Sequence, residues 1–278
     1  MLNRNILVMD ADQAVHRSLE RLLGKDSKRI TSAWDAEGAM ECLRRVPFDV
    51  VLAAQGRNGT EGLELARGVG SIQPDARIIL TGDKGSAGAI RALRAPAYAY
   101  FHKPLPEAQL ADMVHRALES GPWREDIRLI SAKPEWVECT VRCKLDAAER
   151  LASFVREIEA DLPGGACEDV TGAFGELLLN AIEHGGGSDP RKKVRVTLVR
   201  MAHAVAGYIQ DPGKGFSIEM LPHAAVCNPD DLPIRHVEIR AEHGQRPGGF
   251  GIMMARNLVD ELVYNEPGNR VMFVKYLH

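Results

Sequence analysis

No stretch of this 278-residue chain approaches the ~18 consecutive apolar residues a membrane helix needs, so a helical membrane protein is not expected. The opening residues, Met-Leu-Asn-Arg-Asn, lack the charged-then-apolar pattern of a secretory signal. Cysteine is sparse: five residues, an odd number with no CxxC pair, which argues for reduced thiols in a cytoplasm rather than a disulfide framework. Cys139 and Cys143, four apart on one face of a strand, read as structural thiols and suggest no metal. An excess of one charge is lacking too: 35 Lys and Arg stand against 38 Asp and Glu, and a net charge of −3 gives no basic field for nucleic acid. Repeats and low-complexity segments are absent. What remains is 45% apolar and 26% charged, ordinary globular composition, at a length that suggests about two domains.

The first ~120 residues alternate short apolar runs with helical patterns. Ile6-Leu7-Val8-Met9 leads into Asp10-Ala11-Asp12, then a helix with Val15, Leu19, Leu22 and Leu23 at helical spacing. Ala39, Met40 and Leu43 mark a second helix. Strands are predicted over 48–52, 77–81 and 97–101, and an amphipathic helix over 110–118. Strands separated by helices imply a doubly wound parallel sheet, five-stranded in this reading, covered on both faces. Ligands of such sheets sit beyond the C-terminal ends of the strands.

Ser120-Gly121-Pro122-Trp123 breaks the last helix, and the rhythm changes after it. Strands are predicted over 127–130 and 136–143, helices over 147–162 and 167–184, a strand pair over 194–200 and 204–211, and a last strand over 271–276. That is an α+β arrangement of two layers, helices on a mostly antiparallel sheet. The boundaries follow: residues 1–120, a linker over 121–126, and 127–278.

Three blocks in the second half carry chemistry. In Glu176-Leu-Leu-Leu-Asn180-Ala-Ile-Glu183-His184-Gly185, the residues Glu176, Asn180 and His184 sit four apart on one helix face. Alone, such a stripe is most often solvated surface. Asp211-Pro-Gly213-Lys-Gly215-Phe216 ends a strand, and its glycines allow positive φ and close approach to a ligand, although alone it reads as a loop. Gly248-Gly249-Phe250-Gly251 opens a helix over 252–262, and the unpaired N–H groups of a helix N-terminus suit phosphate. No Gly-Lys-Ser/Thr follows, so it is not a Walker A loop. Nor is it a persuasive dinucleotide fingerprint, because no strand immediately precedes it.

Taken in order, the blocks resemble the N, G1 and G2 boxes of the GHKL (Bergerat-fold) ATPases, over roughly residues 125–278, and most closely the anti-sigma-factor serine/threonine kinase branch. The resemblance implies ATP and Mg²⁺ as cofactors. It makes Asn180 the Mg²⁺-coordinating amide, Asp211 the acceptor for the adenine amino group, and Gly213 and Gly215 the lining of the base pocket. Gly249 and Gly251 fall at the phosphate-side turn, and Glu176 at the general base that takes a proton from an attacking hydroxyl. Residues 217–247 become a lid, from which Arg240 or Arg246 could reach the terminal phosphate. Sensor histidine kinases share these boxes, but a helix carrying a phosphoacceptor His followed by an acid is missing. His16 precedes Arg17 and His115 precedes Arg116, and both read as surface residues.

The first ~118 residues resemble a two-component receiver domain. Asp10 and Asp12 stand where that family places its Mg²⁺-binding acids, although the usual pair is adjacent and Ala11 breaks it. Thr81 matches the switch hydroxyl, Tyr100 the switch aromatic, and Lys103-Pro104 the lysine and proline after the last strand, a peptide commonly cis in receivers. Ala54 falls at the phosphoacceptor aspartate, and its methyl can accept no phosphoryl group. Asp49 cannot substitute, because it starts the strand and lies on the wrong edge of the sheet. The resemblance implies a degenerate pseudo-receiver that serves as a regulatory, docking or dimerisation module, with Asp10, Asp12 and Lys103 left to form a structural ion pair. An engineered Asp-to-Ala change is the other explanation of Ala54, but the drift at Ala11 and around Gln55-Gly-Arg57 favours natural loss.

The expected function is a cytoplasmic signalling regulator that binds Mg-ATP and phosphorylates Ser or Thr on a partner-switching protein. Its expected partners are a sigma factor or an anti-sigma antagonist, with homodimerisation and without nucleic acid or membrane. The alternatives are a non-catalytic, nucleotide-gated adaptor and a histidine-kinase-like relative. A DNA-binding regulator is disfavoured, since the second half shows no helix-turn-helix pattern.

Overall fold

The computed structural model describes residues 4–23, 28–56, 59–95, 97–215 and 250–278. The chain divides into two compact units: residues 1–125 with 153–161, and 126–152 with 162–278.

In the first unit, β1 (Arg4–Met9), β2 (Lys28–Ala33), β3 (Val50–Ala54), β4 (Arg77–Gly82) and β5 (Ala99–His102) form a parallel sheet in the order β2-β1-β3-β4-β5. Helices α1 (Gln13–Leu23), α2 (Ala36–Arg45), α3 (Glu61–Ile72), α4 (Ser86–Arg94) and α5 (Glu107–Glu119) connect the strands. The central strands are apolar on both faces because both are covered; Ile6, Leu7, Val50, Val51, Ile78 and Ile79 are fully buried. Edge strand β2 is more polar, and neither it nor α3 or α4 was anticipated from apolar spacing. The Lys103–Pro104 peptide is cis.

The second unit holds β6 (Ile127–Lys133), β7 (Trp136–Arg142), β8 (Lys193–Met201), β9 (Ala204–Gln210), β10 (Glu261–Tyr264) and β11 (Arg270–Tyr276), in the order β10-β11-β9-β8-β7-β6. Every described pairing in it is antiparallel. Its helices are α6 (Leu145–Ile158, which begins in this unit), α7 (Ala166–Asn180) and α8 (Gly251–Leu258). The α/β and α+β classes expected from the sequence are therefore both present.

Helix α7 positions the site. Glu168 and Asp169 in its first turn complement the helix dipole, and Val170, Phe174, Leu177 and Leu178 form its buried face. Truncating a fully buried ring such as Phe174 costs about 3–5 kcal/mol. Lys275 on β11 places Nζ 2.7 Å from Asp169 Oδ2 and donates to the Leu258 carbonyl at 3.1 Å, so one ammonium holds the start of α7 and the end of α8.

Two expectations need correction. The helix predicted over 252–262 ends at Leu258, because Val259 turns extended and residues 261–264 pair with β11 as strand β10. Sheet pairing overrides the helical spacing there. His16 is not a surface residue: it is 3% exposed, with Nδ1 2.9 Å from Ser32 Oγ and Nε2 2.7 Å from the Asp10 carbonyl. His115 is half-buried.

Candidate functional site

The nucleotide-type site assembles at the C-terminal end of α7. Glu176 and Asn180, one turn apart, face Gly251 at the start of α8. A methyl group on Gly251 would stand 2.7 Å from Glu176 Oε2 and 3.2 Å from Asn180 Nδ2, so a side chain there would displace the ends of both. Asn180 Nδ2 is buried and has no hydrogen-bond partner among the described residues. A buried, unsatisfied amide is costly, and an incoming ligand would relieve it.

Immediately after Asn180 the helix widens into a π turn over Ala181–Gly185, in which the Gly186 N–H donates to the Ala181 carbonyl at 2.8 Å. Single π turns of this kind occur at functional sites. Here the turn lays Gly185 flat against Asp211, where an added methyl would meet the Asp211 Cγ at 2.2 Å. Glu183 and His184 are exposed on this turn and take no part in the Glu176–Asn180–Gly251 cluster.

The 211–215 loop leaves β9 and rests on the β10–β11 hairpin. Asp211 Oδ1 accepts from the Gly213 N–H at 2.7 Å, and the Asp211 N–H donates to the Asn269 carbonyl at 3.0 Å. Gly215 has φ +85°, and a Cβ there would stand 1.7 Å from the Pro267 carbonyl oxygen, which excludes any side chain. Burial pushes the Asp211 carboxyl above its ordinary range, despite the opposing hydrogen bond from Gly213. Tyr264 on β10 lies in the same field: burial first, and then the Asp211 charge, push its hydroxyl up to about 12.

The structure thus brings Glu176, Asn180 and Gly251 together, and separately Asp211, Gly213 and Gly215. Gly249, the 217–247 segment, Arg240 and Arg246 lie outside the described residues. Sequence reasoning missed Tyr264, Asn265, Pro267 and Asn269, which carry no motif of their own; only the strand alternation of 261–264 could have exposed the hairpin. The cysteine reading agrees with the structure, since burial pushes Cys139 up to about 12 and Cys143 upward, away from reactive thiolate.

In the receiver-like unit, Lys103 Nζ lies 2.7 Å from Oδ2 of Asp10, whose side chain is nearly buried. Asp12 turns away to cap α1: its Oδ1 accepts from the Ala14 N–H at 2.8 Å. Ala54 ends β3, and Thr81 beside it in register is 1% exposed, with no partner for Oγ1 among the described residues. The next residue, Gln55, is also buried; its Nε2 donates to the Gly88 carbonyl at 3.2 Å and its Oε1 accepts from Arg91 at 3.3 Å. Tyr100 is fully buried, and its hydroxyl donates to the Asp83 carbonyl at 2.7 Å. Burial raises its pKa.

The first unit is thus a parallel sheet with a half-buried Asp–Lys pair beyond its strand ends, and the second an antiparallel sheet with a carboxylate–amide–glycine cluster. Comparison with known families gives a match for each: residues 6–115 match the response regulator receiver domain, and residues 141–275 match the histidine kinase-like ATPase domain. The Fimbriae Z protein of Salmonella typhimurium is 35% identical over 102 residues, 36% of this chain and 49% of that protein. Response regulator protein PilR of Pseudomonas aeruginosa is 29% identical over 140 residues, 48% of this chain and 32% of that protein. The chain thus spans about half the length of the first relative and a third of the second.

Among solved structures, a response regulator from Thermotoga maritima is 24% identical, with a TM-score of 0.41, and the match covers 43% of this chain and 100% of that one. The signal receiver domain of an HD domain-containing protein from Pseudomonas fluorescens Pf-5 is 26% identical, with a TM-score of 0.40, over 43% of this chain and 89% of that one. By the family matches, residues 6–115 form a receiver-type domain and residues 141–275 a histidine kinase-like ATPase-type domain. No described helix is long and apolar enough to cross a membrane.

Proposed function

We propose that this protein binds Mg-ATP in its ATPase domain and transfers the terminal phosphoryl group to a Ser or Thr of a partner-switching protein of the anti-sigma antagonist type. The observation that carries the reading is the convergence of Glu176, Asn180 and Gly251 on one point at the start of α8. The residues fit the cofactor. The Asn180 amide oxygen could hold a Mg²⁺, and its Nδ2, without a partner among the described residues, could donate to a phosphate oxygen. The N–H groups at the start of α8 face the phosphate side, and Asp211 accepts from the adenine amino group. When bound, Mg-ATP supplies the phosphoryl donor and the neutralising charge.

Glu176 takes the proton from the partner's hydroxyl as its oxygen bonds to the γ-phosphorus and the bond to the β-phosphate oxygen breaks, with ADP leaving. The receiver domain is a non-phosphorylatable regulatory or dimerisation module in this reading, with Ala54 at the acceptor position. The buried His16, with both ring nitrogens engaged, speaks against a histidine phosphoacceptor in α1. The test incubates the full chain with γ-labelled ATP and a candidate antagonist, wild type against Glu176→Gln. Transfer lost in the variant, with ATP binding retained, is expected. Tight ATP binding without transfer to any protein would sink the kinase reading and leave the adaptor.

A further inference from the structure

The 211–215 loop is stapled to the β10–β11 hairpin by side chains outside all three sequence blocks. Asn265 Nδ2 donates to Asn269 Oδ1 at 2.9 Å, and Asn269 Nδ2 in turn donates to the Gly213 carbonyl at 3.3 Å. The first bond fixes which way the Asn269 amide points: its oxygen is taken, so its nitrogen faces the loop. Asn265 is itself locked, because its Oδ1 accepts from the Arg270 N–H at 2.9 Å and its backbone N–H donates to the Arg270 carbonyl at 2.9 Å. The Asn269 carbonyl holds the Asp211 N–H, so one residue grips the loop at both Asp211 and Gly213.

We infer that Asn269, oriented by Asn265, is a positioning residue that aims the Asp211 carboxylate at the base and so sets adenine selectivity. The inference rests on the ATP-binding reading above. Its logic is geometric. The Asp211 carboxylate only accepts, so it suits the amino group of adenine and opposes the carbonyl that guanine presents at the corresponding position. The Gly213 N–H that orients the carboxylate belongs to the same loop whose carbonyl Asn269 holds. With the grip lost, the carboxylate swings, and discrimination falls before phosphate binding does.

The experiment measures ATP and GTP affinities of the full-length protein with Mg²⁺ by calorimetry, for wild type, Asn269→Ala and Asn265→Ala, with thermal melts alongside. In Asn269→Ala, ATP affinity falls about three- to tenfold while GTP affinity holds, which narrows the ATP-to-GTP ratio by the same factor. Asn265→Ala, which frees the Asn269 rotamer, moves in the same direction by less. Equal losses for both nucleotides, or an unchanged ratio in folded Asn269→Ala, overturn the inference and leave ATP binding standing. A wild type that binds no ATP overturns both. If Asn269→Ala fails to fold, the same criterion applies to Asn265→Ala.

Discussion

Lys103 holds its ammonium 2.7 Å from a carboxylate oxygen of Asp10, so these two charged groups neutralise each other. The Asp10 side chain is 5% exposed and the Lys103 side chain 35%, which makes this a half-buried pair rather than a surface one. Lys103→Met would leave the carboxylate buried without its counter-charge, at a cost of about 1–2 kcal/mol after discounting for solvent screening. Urea unfolding followed through Trp123, which sits in the core of that unit edge-on to Tyr98, measures it. A variant as stable as wild type would show that the pair contributes nothing.

An aspartate at position 54 is not expected to restore receiver phosphorylation. Asp12 caps α1 and Asp10 is held by Lys103, so the acids a Mg²⁺ would need are engaged elsewhere. Ala54→Asp treated with acetyl phosphate and Mg²⁺ is expected to gain no phosphoryl mass in intact-protein mass spectrometry. Stable incorporation would mean that Asp12 releases its helix at little cost.

The closeness of α8 to α7 makes Gly251 a sensitive position of the proposed nucleotide site. Gly251→Val drives a branched side chain into Glu176 and Asn180, and ATP affinity should fall roughly tenfold or more. Titration with a fluorescent ATP analogue reads this directly. Near-wild-type binding would remove Gly251 from the phosphate side.

Asp211 sets a pH dependence with an inverted sign. Its pKa is raised in the folded state, so the fold binds this proton more tightly than the unfolded chain does. The unliganded domain therefore loses stability as pH rises from the ordinary aspartate range through the raised value, and stays at the lower level above it. Under the proposed function nucleotide affinity runs the other way, since an adenine amino group would donate to the ionised carboxylate. ATP binding should weaken on acidification from a higher pH than an ordinary aspartate would give, and Asp211→Asn should flatten that limb. An unchanged acid limb in the variant would assign it to another group.

Much of the molecule was legible in the sequence. The covered strands of the parallel sheet showed as apolar runs, and Glu176, Asn180, Asp211 and Gly251 stood out because helix spacing and glycine turns are local signals. The failures have local causes too. β2 is a polar edge strand without an apolar run, and β10 hid behind apolar residues at helical spacing until its pairing with β11 was known. His16 looked exposed beside Arg17, yet tertiary packing against Ser32 and Trp34 buries it. Asn265 and Asn269 act only through partners brought close by the hairpin, which no spacing rule reveals.

The hairpin also gives the 211–215 loop an order of assembly. Asp211 and Gly213 leave the ribosome well before Asn269, so the 211–213 turn lacks its Asn269 anchor until β11 zips onto β9. A nucleotide that needs that anchor cannot bind a chain still lacking its last strand. A ligand that engages this loop would then preferentially stabilise molecules in which β11 is paired with β9.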